Sequence, residues 1–319
     1  MKTITKSGMA FLIAVLLIIS CKKDSFMGNL TWYEFRDAYL NTDQTITQDA
    51  TGAFTITGAQ GTQISFPAGA FVDFLDSTIT ITGNIDLTLQ EINSRKDLVL
   101  NGDKVGYLGG GQWICGGGVQ DLLASQGSAA IKIKSTLPTP SIGVTLPSST
   151  GAGSGLSVYY WDAGLIWVNG GAATGTSTYV FPIEKKVVSG LFSMTYNCAK
   201  PDVAANATIT VNVTYEDAGY NPNPPTNDQI TVVKVIYKDA PSVVFLGGFD
   251  YITNSVTGPV TSGRSAVIVG YSGGPIPSTG TSTDLFFAAK TVTLTGGATY
   301  TLDMKRIDQA SLDAILAGI

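Results

Sequence analysis

Histidine is missing from all 319 residues. That absence excludes a Ser-His-Asp triad, a Cys-His pair and any zinc site built on imidazole. It leaves paired carboxylates and a Ser-Lys arrangement open. Charge is also scarce: Asp, Glu, Lys and Arg make up 13% of the chain. Glycine, serine and threonine are plentiful instead, which suits strands joined by tight turns better than helix bundles. The formal net charge is -5, which argues against a nucleic-acid partner and against charge-driven binding to anionic lipid. No cofactor and no metal site are expected. Long apolar runs are absent but for one, Met9 to Ile19, too short to span a bilayer as a stable helix.

That run is the most informative stretch. Lys2 and Lys6 precede it, and Leu17-Ile18-Ile19-Ser20-Cys21 closes it. A charged start, a short apolar centre and a small residue before the cut form a secretory signal, and the box fits bacterial lipoprotein cleavage between Ser20 and Cys21. Cys21 then becomes the first mature residue, the lipid attachment point and the link to a membrane. Lys22, Lys23 and Asp24 are a candidate export tag. Loss of Lys2 and Lys6 leaves 17 basic against 24 acidic groups. Two cysteines remain, Cys115 and Cys198. Export makes a disulfide between them chemically accessible, while two buried small hydrophobes are the plainer alternative.

Period-two alternation predicts an all-β chain. Ile79, Ile81, Ile85, Leu87 and Leu89 occupy odd positions, with Thr78, Thr80, Thr82, Asp86 and Thr88 between them. Ile209, Val211, Val213 and Tyr215 repeat the pattern, as expected of strands with one face in a core. Glycine clusters at 109–111 and 116–118 predict turns around a short buried strand. The expected architecture is two tandem antiparallel β-sandwich domains with a short C-terminal helix over Ile307 to Leu316, capped by Asp308. The expected divisions are residues 1–20 (signal peptide), 21–48 (anchor and tether), 49–187 (first sandwich) and 188–319 (second sandwich with the helix). Trp32, Tyr33, Phe35 and Tyr39 in the tether are expected to dock on the first domain.

The segment Gly61-Thr62-Gln63-Ile64-Ser65-Phe66-Pro67-Ala68-Gly69-Ala70-Phe71 resembles the opening of a domain common in Bacteroidota envelope lipoproteins. It is also similar to the β-sandwich of ankyrins and netrin receptors. Thr82-Gly83 with Ile85 to Ile92 resembles a strand of that group, Glu91 taking its acidic place. Asp97 to Gly102 and Tyr159 to Trp167 resemble two further steps. Gly190-Leu191-Phe192 through Asn197-Cys198 resembles the start of a second domain in the same lipoproteins. The resemblance implies two sandwiches behind a membrane anchor and implies no reaction. Some ankyrin-type sandwiches cleave themselves at a His-Phe-Ser step, which a chain without histidine cannot do.

Three functional readings follow. The first is a non-enzymatic, lipid-anchored outer-membrane protein that binds another envelope component. The second is a glycan-binding surface lipoprotein of a polysaccharide-uptake system, with Tyr160, Trp161 and Trp167 as a stacking platform and Asp162 for hydroxyls. The third is a glycoside hydrolase, which needs two opposed carboxylates from a set such as Asp86, Glu91, Asp97 and Asp103.

Overall fold

The computed structural model describes residues 30–40, 43–101, 107–109, 112–134, 142–145, 157–162, 166–172, 178–181, 194–216, 230–239, 242–273 and 284–319. The chain opens with a helical turn, α1 (Trp32–Phe35), continued by a π-turn over Arg36–Leu40. Strands β1 (Gln44–Asp49), β2 (Phe54–Thr57), β3 (Gln63–Phe66), β4 (Phe71–Asp73) and β5 (Asn84–Ile92) follow. Helix α2 (Arg95–Asn101) precedes β6 (Tyr107–Gly109), β7 (Gln112–Gln126), β8 (Ala129–Ile133), β9 (Ile142–Thr145) and β10 (Ser157–Asp162). Then come β11 (Ile166–Ala172), β12 (Thr178–Phe181), β13 (Met194–Pro201), β14 (Ala207–Tyr215) and β15 (Ile230–Tyr237). The remainder is β16 (Val243–Phe245), β17 (Ser255–Val260), β18 (Ser265–Gly273), β19 (Phe286–Thr293), β20 (Thr299–Arg306) and helix α3 (Gln309–Ala317).

The chain is all-β with mainly antiparallel sheets and a short C-terminal helix. In its first part a sheet ordered β1-β5-β7-β13-β10-β11 faces a smaller one ordered β12-β9-β3-β2. Alternation on β5 sends Ile85, Leu87 and Leu89 into the shared core, where Ile56, Ile64 and Phe66 meet them from the small sheet. Phe66 lies 5.1 Å, centroid to centroid, from both Phe54 and Phe71. The alternation stops short of its expected start: Ile79 is exposed in a turn, and Gly83 breaks the phase at φ 79°, a conformation that favours glycine. The glycines at 116–118 form no turn but lie inside the long strand β7.

The division between the sheets differs from the expected 187/188. Strand β13 pairs with both β7 and β10, so the first sheet reclaims Met194–Pro201, and the last sheet begins at β14. The lower boundary shifts too, since Gln44–Asp49 already pairs with β5.

The last part is one seven-stranded sheet, ordered β16-β15-β18-β19-β20-β14-β17, that curls nearly into a barrel. All seven strands feed one core, through Val244, Val233, Ile268, Phe286, Leu302, Ile209 and Val256. Its two edges meet where Gly258 of β17 lies against Leu246, just past β16; a Cβ at Gly258 would stand 2.6 Å from the Leu246 carbonyl oxygen. One pair in this sheet, β14 with β20, is parallel.

β15 and β18 are buried on both faces. Val233, Val235 and Tyr237 point into the barrel, while Val232 and Ile236 point out into a second core. That outer core is made by α1, α2 and α3, through Trp32, Phe35, Leu98, Val99, Leu312 and Leu316. Double burial explains why these strands read as continuous apolar runs. The tether aromatics enter the same outer core. Phe35 packs 5.6 Å from the Tyr271 ring on β18, Trp32 lies on Gly273, and Leu30 bonds through its backbone to Ile307 and Leu285. Trp32 and Phe35 thus cover the last sheet, in a core that also takes in Ile92, Leu98 and Val99 of the expected first domain; Tyr39 has Lys96 over its ring, and Tyr33 is exposed.

Candidate functional site

Among the described residues, Glu91, Lys234 and Arg264 are charged side chains that lie in or against the cores. Glu91, at the end of β5, is 2% exposed. Its Oε2 accepts from Gln44 Nε2 and the Gln60 backbone N–H, both at 2.8 Å, and its Oε1 accepts from the Thr62 N–H at 2.9 Å. Asn93 Nδ2 donates to Thr62 Oγ1 at 3.0 Å beside it. Gly58 leaves room for the carboxylate, since a Cβ there would fall 2.3 Å from Oε2. Glu91 is thus a clamp that ties β5 to the loop entering the Gly61–Phe71 segment. A buried carboxylate needs such donors to offset lost hydration.

Lys234 of β15 is fully buried, and its Nζ donates to the Val99 carbonyl at 2.7 Å. Tyr271 donates from its hydroxyl to the Leu100 carbonyl at 3.4 Å. Both acceptors are terminal carbonyls of α2, which lack intrahelical partners and carry the negative end of the helix dipole. Arg264 is the third. Its guanidinium lies 3.7 Å from the Tyr237 ring centroid and bonds Asp202 at 2.9 Å and Asp239 at 2.7 Å. The Arg264 bond holds the Asp239 carboxyl below its ordinary range. Sequence reasoning missed Lys234 and Arg264. The signal for Lys234 was a lone lysine inside the apolar run of residues 230–237.

The expected site residues are distributed as follows. Ser20, Cys21, Lys22, Lys23 and Asp24 lie outside the described residues, as does Asp103. In the β10–β11 hairpin Trp161 is the register partner of Trp167, whereas Tyr160 is opposite Val168 and Asp162 opposite Ile166. Cys115 and Cys198 fall on the neighbouring strands β7 and β13, but Cys115 is opposite Lys200, and Cys198 is opposite Val158 of β10. Asp86 takes the Thr47 hydroxyl at 2.6 Å on the surface. Asp97 caps α2, accepting from the Ser94 N–H and hydroxyl at 3.0 and 2.7 Å. Among the described residues no group of three or more Cys, Asp and Glu side chains could hold a metal.

One cleft stands out. It has a volume of about 470 Å³ and opens between β19 and β20, floored by Leu302 and rimmed by Lys290, Asp303, Lys305 and the start of α3. Compared with known proteins, the chain matches no family profile and no curated sequence.

Proposed function

We propose that this chain is a lipid-anchored envelope protein whose β-body binds a neighbouring envelope component and performs no chemistry. The carrying observation is the segment from Lys2 to Cys21: basic start, apolar run, and a small residue before cysteine. The likeness of Gly61–Phe71 and Glu91 to envelope lipoproteins of Bacteroidota points the same way and favours the outer membrane. The structural use of the buried charges supports a binding body: Glu91 holds a loop, Lys234 a helix end and Arg264 two aspartates. Among the described residues no helix is long and apolar enough to cross a membrane.

Fractionation of cells expressing the wild type and Cys21→Ser tests the anchor. The wild type is expected with membranes and the variant in the soluble fraction; equal partition would overturn the reading. Protease treatment of intact and permeabilised cells then tells the outer face from the inner. A second reading, glycan capture, draws on the cross-strand pairing of Trp161 with Trp167. Retardation on polysaccharide-containing gels that is lost in Trp161→Ala would favour it.

A further inference from the structure

The cleft between β19 and β20 is a break in a sheet. The two strands pair only at Phe286 with Arg306 and Phe287 with Lys305. Their outer edges stay paired, β19 to β18 from Phe286 to Thr293, and β20 to β14 from Thr299 to Met304. Past Phe287 the inner edges separate, and side chains bridge the gap where ladder bonds would run. Lys290 Nζ donates to the Thr301 carbonyl at 3.3 Å, and the Tyr300 hydroxyl donates to the Thr293 carbonyl at 3.1 Å.

These bonds give the phase of each edge. Thr301 and Thr293 turn their carbonyls into the opening. The Met304 carbonyl, by contrast, takes the Glu216 N–H on the β14 side. Strand alternation then turns the amides of Thr301 and Asp303, and of Ala289 and Thr291, toward the opening. Two facing strand edges with open backbone groups form a template for another strand.

Lys290 has the inward phase of β19, alongside Ala288 and Val292 that pack on the barrel core, yet it is exposed. Its amine occupies the site of a missing ladder bond. Lys305 adds a second exposed cation, and among the described residues Asp303 is the one carboxylate lining the cleft. Its Oδ1 is engaged by the Thr214 hydroxyl at 2.5 Å. Arg306 is held by Asp284 at 2.7 Å. On a chain of net charge -5 this is a locally cationic opening.

We infer that the β19–β20 seam receives an extended, acidic segment of a partner protein as an added strand. The incoming backbone takes the Thr301 carbonyl and frees the Lys290 amine to pair with an acidic side chain. This inference rests on the binding role proposed above but not on the anchor, so the fractionation and the peptide test can fail separately.

The test uses the full chain, solubilised in detergent, and a fluorescein-labelled eight-residue peptide alternating Glu and Val, read by anisotropy. A Lys/Val peptide is the control. Saturable binding is expected, at least tenfold tighter for the Glu peptide and weakened by salt. Thr291→Pro removes one seam-facing N–H and spares the β18 ladder; it should weaken binding at least tenfold. Lys290→Glu with Lys305→Glu should reverse the preference between peptides, and this variant decides alone if the proline variant does not fold. Absence of saturable binding, or binding that neither variant changes, overturns the proposal. Dimerisation in ultracentrifugation that Thr291→Pro abolishes also overturns it, by assigning the seam to a second copy of the chain.

Discussion

Among the described residues, the sandwich and the curled sheet each bury one charged strand residue, and they use it in opposite ways. In the sandwich, Glu91 collects N–H groups from a loop of its own sheets. In the curled sheet, Lys234 donates to α2, a helix that follows β5 of the sandwich in the chain. A carboxylate serves where donors are orphaned in a loop, and an ammonium where acceptors are orphaned at a helix end. The first therefore stabilises one sheet pair, while the second joins the barrel to a helix 135 positions earlier.

Removing Glu91 breaks the comparison most sharply. Glu91→Ala leaves buried N–H groups without an acceptor and should cost about 3–5 kcal/mol. Denaturant unfolding followed by hydrogen exchange should show protection lost first at β2, β3 and β5, while β15 and β18 keep theirs. Lys234→Met keeps the volume but leaves the Val99 carbonyl without this donor, for about 1–2 kcal/mol. Its exchange signature should differ, with the C-terminal turn of α2 loosening and the Glu91 loop unchanged. Equal patterns in the two variants would erase the distinction drawn here.

Tyr39→Phe probes the lid over the outer core. Tyr39 donates to Asp313 at 2.7 Å and accepts from Gln309. Burial, then Asp313, pushes its phenol up. Loss of the hydroxyl should cost about 1 kcal/mol and speed exchange in residues 32–40 alone.

Acid is the gentlest probe. Asp239 and Asp313 have carboxyls lowered in the fold, by Arg264 and by Tyr39 respectively. A lowered folded-state pKa adds stability that is complete above the unfolded value, about 4, and fades as pH falls through the folded value. Melting temperatures should drop below about pH 4, and Asp239→Asn with Asp313→Asn should flatten that drop. A steeper drop in the double variant would contradict the assignment.

Much of the fold was legible because burial on one face leaves a period of two. Ile85, Leu87 and Leu89, and again Ile209, Val211 and Val213, appear in the sequence as they do in the cores. Asp308 caps α3 as expected, taking the Ser311 N–H at 2.7 Å. Helix α2 was not foreseen: Ser94 and Asp97 form its cap, but seven residues are too few for a clear apolar stripe. The open seam was equally illegible, since β19 and β20 look like an ordinary hairpin until their pairing stops after Phe287.

By itself, the sequence determined the β character, the strand faces, the exclusion of imidazole chemistry and the expectation of an anchor at Cys21. These are local or compositional properties, carried by neighbouring side chains. Only the tertiary structure decided that β13 joins the first sheet, that β14 lies parallel to β20, that Trp32 and Phe35 cover the last sheet and that Lys234 closes α2. Each of these joins residues far apart in the chain, and backbone pairing is nearly blind to side-chain identity. Partner choice is therefore settled by the packing of whole sheets, which no local pattern records.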